Sequence, residues 1–337
     1  MTLFVNRVVY TDLVLTTDTG GTGWACILLF RRFSEERSFM FLEPQEDRLT
    51  QASGDSALIV DASKLHPLHS RPKFLTYLAG IWNRRHFIIA DARGRSFQSQ
   101  RDMVLGRLWL VLSPLLDAAM YGVLFGLLLR TSRGIENFIG FLIIGVIFFG
   151  FIQGGLTAGS GMIRESRSMI AAFSFPRASI PIARLTRQFL DNSLPALVAT
   201  IVGLSFQWGN PPGWEMLLVI PLYILIHVFA LGLTFIVARC TAFLPDLRSL
   251  VPVAGRAWFY VSGVFFSIER FATNPTVQDI MVANPAYQFL QAVRGVVLYQ
   301  TVPTLETWLT LCAWSFGLLI IGLVYFWQAE ERYVNVH

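Results

Sequence analysis

The sequence predicts an all-α membrane protein with six transmembrane helices, and three observations carry that prediction. Hydrophobic residues make up 54% of the 337 positions and charged residues 15%, with a mean hydropathy of +0.53. A soluble domain carries about 25% charged residues. Six apolar segments are long enough to cross a bilayer, which takes about 20 helical residues. A short basic connector, Ile163 to Pro181, joins the second segment to the third.

The chain divides into three predicted regions. Residues 1–70 hold short β-leaning runs between polar stretches, which is typical of either a small cytoplasmic β-rich appendage or a partly ordered arm. Residues 71–104 form an amphipathic interface region, and residues 105–334 form the transmembrane domain. The predicted spans are 106–130, 137–160, 184–206, 215–239, 249–268 and 305–327.

An amphipathic helix over 71–90 precedes the first span. Apolar residues recur at near-helical spacing up to Trp82, and Arg84 and Arg85 follow. This pattern is typical of a helix lying in the membrane interface, with its apolar face in lipid and its cations near the headgroups. An ordinary soluble amphipathic helix is the alternative, and the adjoining span favours the interface.

The segment between spans five and six, 269–304, is too polar to cross a bilayer but contains an amphipathic helical pattern. Two short re-entrant helices on the outer side fit both facts, because backbone at that depth must be helical or buried. An ordinary extracytoplasmic loop helix is the alternative.

Arginine dominates the net charge of +5, since the chain has only two lysines. We interpret this excess as a topology signal rather than as nucleic-acid binding. Twelve basic residues flank the spans on one side and four on the other, Arg130, Arg133, Arg270 and Arg294. The positive-inside rule then places both termini of this multi-pass protein in the cytoplasm. The resemblance described below implies that the membrane is a prokaryotic cell membrane.

Several kinds of chemistry are missing from the sequence. The two lysines, Lys64 and Lys73, lack the glycines of a P-loop, so the chain is not by itself a P-loop ATPase. The five histidines form no HExxH motif, and the three cysteines are widely spaced. We therefore expect no catalytic residues, no metal and no cofactor bound by this chain.

The connector is too small to be a domain, but it can form one or two helical turns at the cytoplasmic surface. We expect it to offer a side-chain ridge of Met169, Ile170, Phe173 and Phe175 to a partner outside the membrane. The partner that we infer is an ATPase. Charged candidates for the same contact are Arg164, Glu165 and Arg167.

Ionisable residues within the spans are candidates for function, since each costs at least about 2.5–3.5 kcal/mol at mid-bilayer. The candidates are Asp117, Arg184, Arg187, Asp191 and Arg256. Arg187 and Asp191 are four apart, so they can pair on one helix face. Asp117 either neutralises an arginine of span three or five or lines a water-filled passage.

Aromatic residues are dense in spans one, two and five. Those on an inner surface would offer flat apolar faces over which sugar rings can slide without being gripped. The channel-lining candidates are Trp109, Tyr121, Phe125, Phe148, Phe149, Trp258, Phe259 and Tyr260.

Five motifs in order give the chain a family resemblance. They are RDMVLGRLWLVLSPLLDAAMYGVLFG (101–126), FPRASIPIARL (175–185), LPDLRSLVP (244–252), NPAYQFLQAVRGVVL (284–298) and WQAEERYV (327–334). Together they resemble the ABC-2 type permeases that export polyprenyl-linked polysaccharides such as O-antigen, teichoic acid or galactan. The resemblance covers about 71–334, and the segment 1–70 departs from it.

The resemblance implies the ABC-2 (type V exporter) fold and a homodimer that works with two separate ATP-binding subunits. ATP and magnesium would be bound on those subunits. Segments 162–176 and 240–248, the second with Asp246, would dock in clefts of the ATPase. The helix at 71–90, with Trp82, Arg84 and Arg85, would form a lateral gate for the lipid-linked substrate. The outer helices 274–299 would close the channel.

Three other functions compete with polysaccharide export. An ABC-2 exporter of a drug or small lipid would share the architecture, and its genomic neighbourhood or channel width would differ. A membrane enzyme acting on lipid-linked sugars would need acidic or histidine clusters at a membrane boundary, which we do not find. A passive channel would not need the cytoplasmic docking ridge.

Overall fold

The computed structural model describes residues 72–98, 108–128, 135, 137–173, 175–205, 213–268 and 274–336, and every regular element in these ranges is helical. Segment 1–70, and with it both alternatives for its structure, lies outside the described residues. In chain order the helices are α1 (Phe74–Asn83), α2 (Arg85–Gln98), α3 (Leu108–Tyr121), α4 (Phe138–Gly159), α5 (Met162–Glu165), α6 (Arg167–Ala172), α7 (Ser179–Ser205), α8 (Val219–Phe243), α9 (Leu247–Val261), α10 (Pro275–Val282), α11 (Pro285–Leu298) and α12 (Leu305–Trp327). A π-helical segment, Gly122–Leu128, extends α3, and 3₁₀ turns precede α8 (Trp214–Leu218) and follow α12 (Glu330–Asn335).

Four helical segments within the described ranges are long and apolar enough to cross a membrane: Leu108–Leu128, Phe138–Gly159, Trp214–Phe243 and Leu305–Trp327. They correspond to predicted spans one, two, four and six. The predicted span three falls in α7, which has 27 residues but also carries Arg184, Arg187 and Asp191. The chain is thus an all-helical, multi-pass membrane protein, and the count of six spans stays a prediction.

The predicted fifth span, 249–268, has the wrong bounds. Helix α9 begins at Leu247 and ends after 15 residues at Val261. At about 1.5 Å per residue it is shorter than the hydrocarbon core of a bilayer. The chain turns away at Gly263, whose φ of 61° is in the left-handed region that favours glycine.

Helix α4 lies at the centre of the packing. Most of its side chains are buried, and it contacts α3, α7, α8, α9 and α11. Helix α8 packs between α4 and α12, and small residues allow that close approach. A Cβ on Gly155 of α4 would lie 2.6 Å from the Cβ of Ala230 on α8, and one on Gly322 of α12 would lie 2.5 Å from the carbonyl oxygen of Gly232 on α8.

The polar residues before three helices explain where those helices begin. The side chain of Asn137 accepts a hydrogen bond from the backbone N–H of Gly140 at 2.8 Å and caps α4. Asn274 and Asn284 cap α10 and α11 in the same way, each followed by a proline at the first helical position. The Asn-Pro pairs therefore divide the segment between α9 and α12 into two short helices.

Arg294 of α11 fixes these short helices to the core. Its guanidinium donates to the carbonyl oxygens of Phe141 (3.2 Å), Gly263 (3.0 Å) and Val264 (3.0 Å), and it lies 3.4 Å from the ring centroid of Phe141. The side chain is fully buried. Sequence reasoning counted Arg294 among the loop charges of the outer side. The structure shows a buried helical residue bonded to three backbone carbonyls instead of a loop charge, and the side of the membrane on which it lies stays a prediction.

Candidate functional site

The connector between α4 and α7 forms the first part of the candidate site. It turns at Gly161, where φ is 76°, and then forms the short helices α5 and α6. The backbone N–H of Gly161 donates to Thr241 Oγ1 at 3.1 Å, and Arg248 Nη2 donates to the Gly161 carbonyl at 3.3 Å. The connector is therefore held to the end of α8 and the start of α9. We call this end of the bundle the connector end.

The two helices of the connector have a buried side and an exposed side. Met162, Ile163 and Ile170 are buried in a core cluster, whereas Glu165 and Arg167 are exposed and Phe173 is 67% exposed. The burial of Ile170 contradicts its place in the predicted ridge, and the docking role of the other three residues stays a prediction. Ile170 is an inward anchor, Met169 and Phe175 are half-buried, and Phe173 is the large apolar side chain that remains available.

The second predicted docking segment, 240–248, lies beside the first. Asp246 is exposed at the start of α9, next to the exposed side chains of Phe243 and Leu244. Arg248 links the two segments through its bond to Gly161. Residues 177–239 separate the two segments in sequence, and only the fold makes them one continuous surface.

Arg184 belongs to this end of the bundle as well. Its guanidinium lies 3.5 Å from Glu165 Oε2, with both side chains more than half exposed. Arg187 Nε lies 3.3 Å from Asp191 Oδ2 one turn further along α7, the i,i+4 pairing that the spacing predicts. The charges of α7 are therefore compensated within the chain.

A buried polar cluster joins the connector to α1 and to the C-terminal 3₁₀ turn. Tyr77 donates from its hydroxyl to Glu330 Oε2 at 2.7 Å and accepts from the backbone N–H of Ala178 at 2.9 Å. Arg177 donates its backbone N–H to Glu330 Oε1 at 2.8 Å, and its Nη1 lies 3.4 Å from the same oxygen. Burial raises the pKa of the Tyr77 hydroxyl and of the Glu330 carboxyl. Sequence reasoning missed this cluster, because no spacing rule connects residues so far apart.

The predicted interface helix is two helices, α1 and α2, divided at Arg84. Trp82 is 68% exposed, and the Arg85 guanidinium lies 5.1 Å from its ring centroid. Arg84 lies 5.8 Å from the ring centroid of Phe175 in the connector. Trp327 Nε1 donates to the Pro72 carbonyl at 3.1 Å, so the start of this region is also held to the end of α12.

A cavity of about 350 Å³ opens between α3, α4, α7 and α9, away from the connector. Two of the predicted intramembrane charges, Asp117 and Arg256, line it together with Gln153 and Asn192. Both charged residues are exposed, and no hydrogen bond or ion pair joins them to one another within the described ranges. The structure thus places both on a common cavity wall rather than in a direct ion pair.

Aromatic residues divide between this cavity and the core. Tyr121, Phe149 and Phe259 line the cavity, and Trp109 and Tyr260 are exposed. Phe125 stacks on Phe265 at 4.3 Å, and the half-buried Trp258 donates from Nε1 to Asn284 Oδ1 at 2.9 Å. Phe148 is fully buried against Phe151. The prediction that Phe148 lines the channel is wrong, since its side chain lies in the hydrophobic core around α4.

These features define a helical membrane protein with a polar cavity among its helices and a compact two-segment surface at one end. A family model described as ABC-2 type transporter matches residues 92–298, and the chain belongs to that family. ABC-2 permeases are transmembrane subunits that work with an ABC-type ATP-binding subunit.

Within this family, the chain is similar to permeases named for O-antigen export. The chain is 24% identical over 257 residues to the O-antigen export system permease protein RfbA of Myxococcus xanthus, covering 76% of this chain and 96% of that protein. It is also 24% identical over 242 residues to an O-antigen export system permease protein RfbA of Klebsiella pneumoniae, covering 70% of this chain and 89% of that protein.

Proposed function

We propose that this chain is the permease subunit of an ATP-driven transporter that exports a polyprenyl-diphosphate-linked polysaccharide across the cytoplasmic membrane. The family and the O-antigen export function named for its relatives support this substrate class. The observation that carries the proposal is the connector surface, where Glu165, Arg167, Phe173 and Asp246 are exposed at one end of the bundle.

The partner at this surface is an ABC-type ATP-binding subunit, with two copies acting on a homodimer of this chain. ATP and magnesium bind to those subunits. A partner that closes on nucleotide shifts the permease only through contacts that differ between two states. Phe173 and Asp246 offer an apolar anchor and a charge for such contacts, and the buried side of the connector transmits movement because it packs in the core.

The cavity lined by Asp117 and Arg256 is the proposed substrate path. Exposed charges in hydrocarbon are costly, so both residues favour a water-filled passage or a contact with the second subunit. Tyr121, Phe149 and Phe259 add aromatic faces to the same wall. Sugar rings can move past such faces, because few hydrogen bonds hold them in place.

Entry and orientation follow from the remaining surfaces. Trp82 suits the headgroup region, and Arg84 and Arg85 supply cations for a lipid diphosphate at the lateral gate. The basic residues at the connector end support a cytoplasmic location for that end and for both termini. The short helices α10 and α11 then lie on the outer side and close the path.

Purification of this chain from its native cells, followed by a search for a co-purifying ABC-type ATPase, tests the proposal. In reconstituted vesicles, the wild-type complex should hydrolyse ATP and move a lipid-linked glycan, and Glu165→Arg or Met169→Asp should keep the subunits folded but lower transport per ATP. Glu215→Gln, in the 3₁₀ turn at the other end of the bundle, is the matched control. Transport of a drug or small lipid with no transport of glycan would replace the proposal with the alternative exporter class.

A further inference from the structure

A second cavity, of about 510 Å³, lies at the end of the bundle opposite the connector. It is formed by α11, the loop before α12 and the first turns of α12, and we call it the outer cavity. Helix α12 places it there, because the 3₁₀ turn that follows α12 bonds the connector through Glu330, and the 23 residues of α12 span about 34 Å. The volume falls within the range of small-molecule sites, about 300–1,000 Å³.

The wall of the outer cavity is rich in neutral hydrogen-bonding groups. Two amides and several hydroxyls converge on it, with one carboxylate; the polar residues that matter here are Tyr287, Gln288, Gln291, Thr301, Glu306 and Thr307. No arginine, lysine or histidine is among the described residues that line it. A phosphate or diphosphate would meet a carboxylate there without a cation, which disfavours an anionic ligand.

The side-chain amide of Gln288 indicates what kind of ligand group the outer cavity would bind. Its Nε2 donates to the Val282 carbonyl at 3.2 Å, and this bond fixes the amide orientation, since the reverse would set two oxygens against each other. Its Oε1 is buried, and no donor from the described residues reaches it. A buried acceptor without a donor costs about 1–3 kcal/mol. Gln288 also lines the outer cavity through its other atoms, so a rotation of its amide toward the cavity would offer this acceptor to a ligand hydroxyl.

Neighbouring groups are arranged for a ligand with many hydroxyls. Gln291 Nε2 donates to the Tyr287 hydroxyl at 2.6 Å, which holds both side chains in one geometry on the same helix face as Gln288. The hydroxyls of Thr304, which caps α12, and Thr307, in its first turn, lie 2.9 Å apart. Sugars present donors and acceptors at similar spacing, and hydroxyls serve as both.

We infer that the outer cavity binds neutral sugar residues of the glycan after they leave the membrane path. This inference rests on the proposed function, and it assigns the sugar part of the substrate, rather than its diphosphate, to this cavity.

Saturation-transfer NMR on the full complex in lipid nanodiscs tests the binding. The probes are galactose, mannose, rhamnose and N-acetylglucosamine, with inorganic pyrophosphate as a competitor. We expect transfer to at least one sugar, no displacement by pyrophosphate, and a loss of about threefold to tenfold in affinity for Gln288→Met, as for one lost neutral hydrogen bond. Gln278→Met on α10 is the matched control. Absent transfer, equal transfer in Gln288→Met, or displacement by pyrophosphate overturns the inference.

An export assay in cells separates this inference from the proposed function. If the wild type displays glycan at the cell surface and Gln288→Met with Thr307→Val slows display while ATPase activity is kept, both stand. If the double variant displays glycan as fast as wild type, the sugar site is wrong and the export function stands. If the wild type displays no glycan, the proposed function fails, and the NMR experiment still shows whether the outer cavity binds sugars.

Discussion

The hydroxyl of Tyr77 donates a 2.7 Å hydrogen bond to Glu330, a residue 253 positions later in the chain. Through it the amphipathic helix α1 is bonded to the 3₁₀ turn after α12. Arg177 completes the arrangement by bonding Glu330 from the connector. The predicted gate helix, the connector and the turn after α12 therefore share one buried carboxylate.

Tyr77→Phe tests the strength of this bond. A hydrogen bond to a charged group contributes about 1.5–3 kcal/mol, and its loss also leaves the Ala178 N–H without its acceptor. We expect a clear fall in the unfolding temperature of the purified protein in detergent. Tyr260→Phe, at a 52% exposed tyrosine, is the control and should leave that temperature unchanged. Equal temperatures for wild type and Tyr77→Phe would mean that the bond adds nothing.

The pH dependence of stability tests the state of Glu330. Burial raises its pKa above the ordinary value of 4.5, outweighing the lowering by Arg177 and Tyr77. Its contribution is therefore fully present below pH 4.5 and is lost as the pH rises through the raised pKa. We expect Glu330→Gln to gain stability relative to wild type as the pH rises, in paired thermal unfolding scans. The opposite slope would show that the ion pair with Arg177 dominates.

Two glycines of α12 provide a matched pair for packing. A Cβ on Gly322 would meet the Gly232 backbone at 2.5 Å, whereas one on Gly317 would meet nothing within 4 Å. Gly322→Val should cost about 1–3 kcal/mol by forcing α8 and α12 apart. Gly317→Val should be nearly neutral. Thermal unfolding measures both, and similar losses in the two variants would contradict the packing argument.

The exposed pair Glu165–Arg184 separates coupling from stability. Both side chains are more than half exposed, so the pair contributes at most about 1 kcal/mol to folding. We expect Glu165→Ala to leave the unfolding temperature unchanged. It should lower the part of the ATPase activity that the permease stimulates in the complex. Arg187→Ala, which breaks the half-buried pair with Asp191, is the comparison, with a larger loss of stability. Normal coupling in Glu165→Ala would remove Glu165 from the docking surface.

Phe259 tests the proposed path. It is buried against Phe149, Tyr121 and Phe265 on the wall that carries Asp117 and Arg256. We expect Phe259→Leu to keep assembly with the ATPase and to slow glycan export several-fold, since the flat face is lost while most volume is kept. Phe148→Leu is the control, as Phe148 lies in the core of α4. Unchanged export by Phe259→Leu would count against sliding on aromatic faces.

The helical class and the positions of four spans could be predicted from sequence, because long apolar runs have few other solutions in a membrane. The connector, with its charges and its small size, was also visible. The bounds of span five could not be predicted, because the segment SGVFFS that follows α9 is as apolar as a continuing transmembrane helix would be. What ends α9 is a turn at Gly263 whose carbonyl accepts from Arg294, a contact across 31 residues.

The sequence by itself determined that this is a multi-pass helical protein whose ABC-2 family resemblance the comparisons bear out, since hydropathy and motif order are local properties. Only the tertiary structure decided which polar groups act together. It placed Asp117 and Arg256 in the lining of one cavity, buried Ile170 and Phe148, and brought Tyr77 and Arg177 onto the carboxylate of Glu330. The physical reason is that the cost of burying a polar group depends on partners from distant segments, and those partners are fixed only when the helices pack.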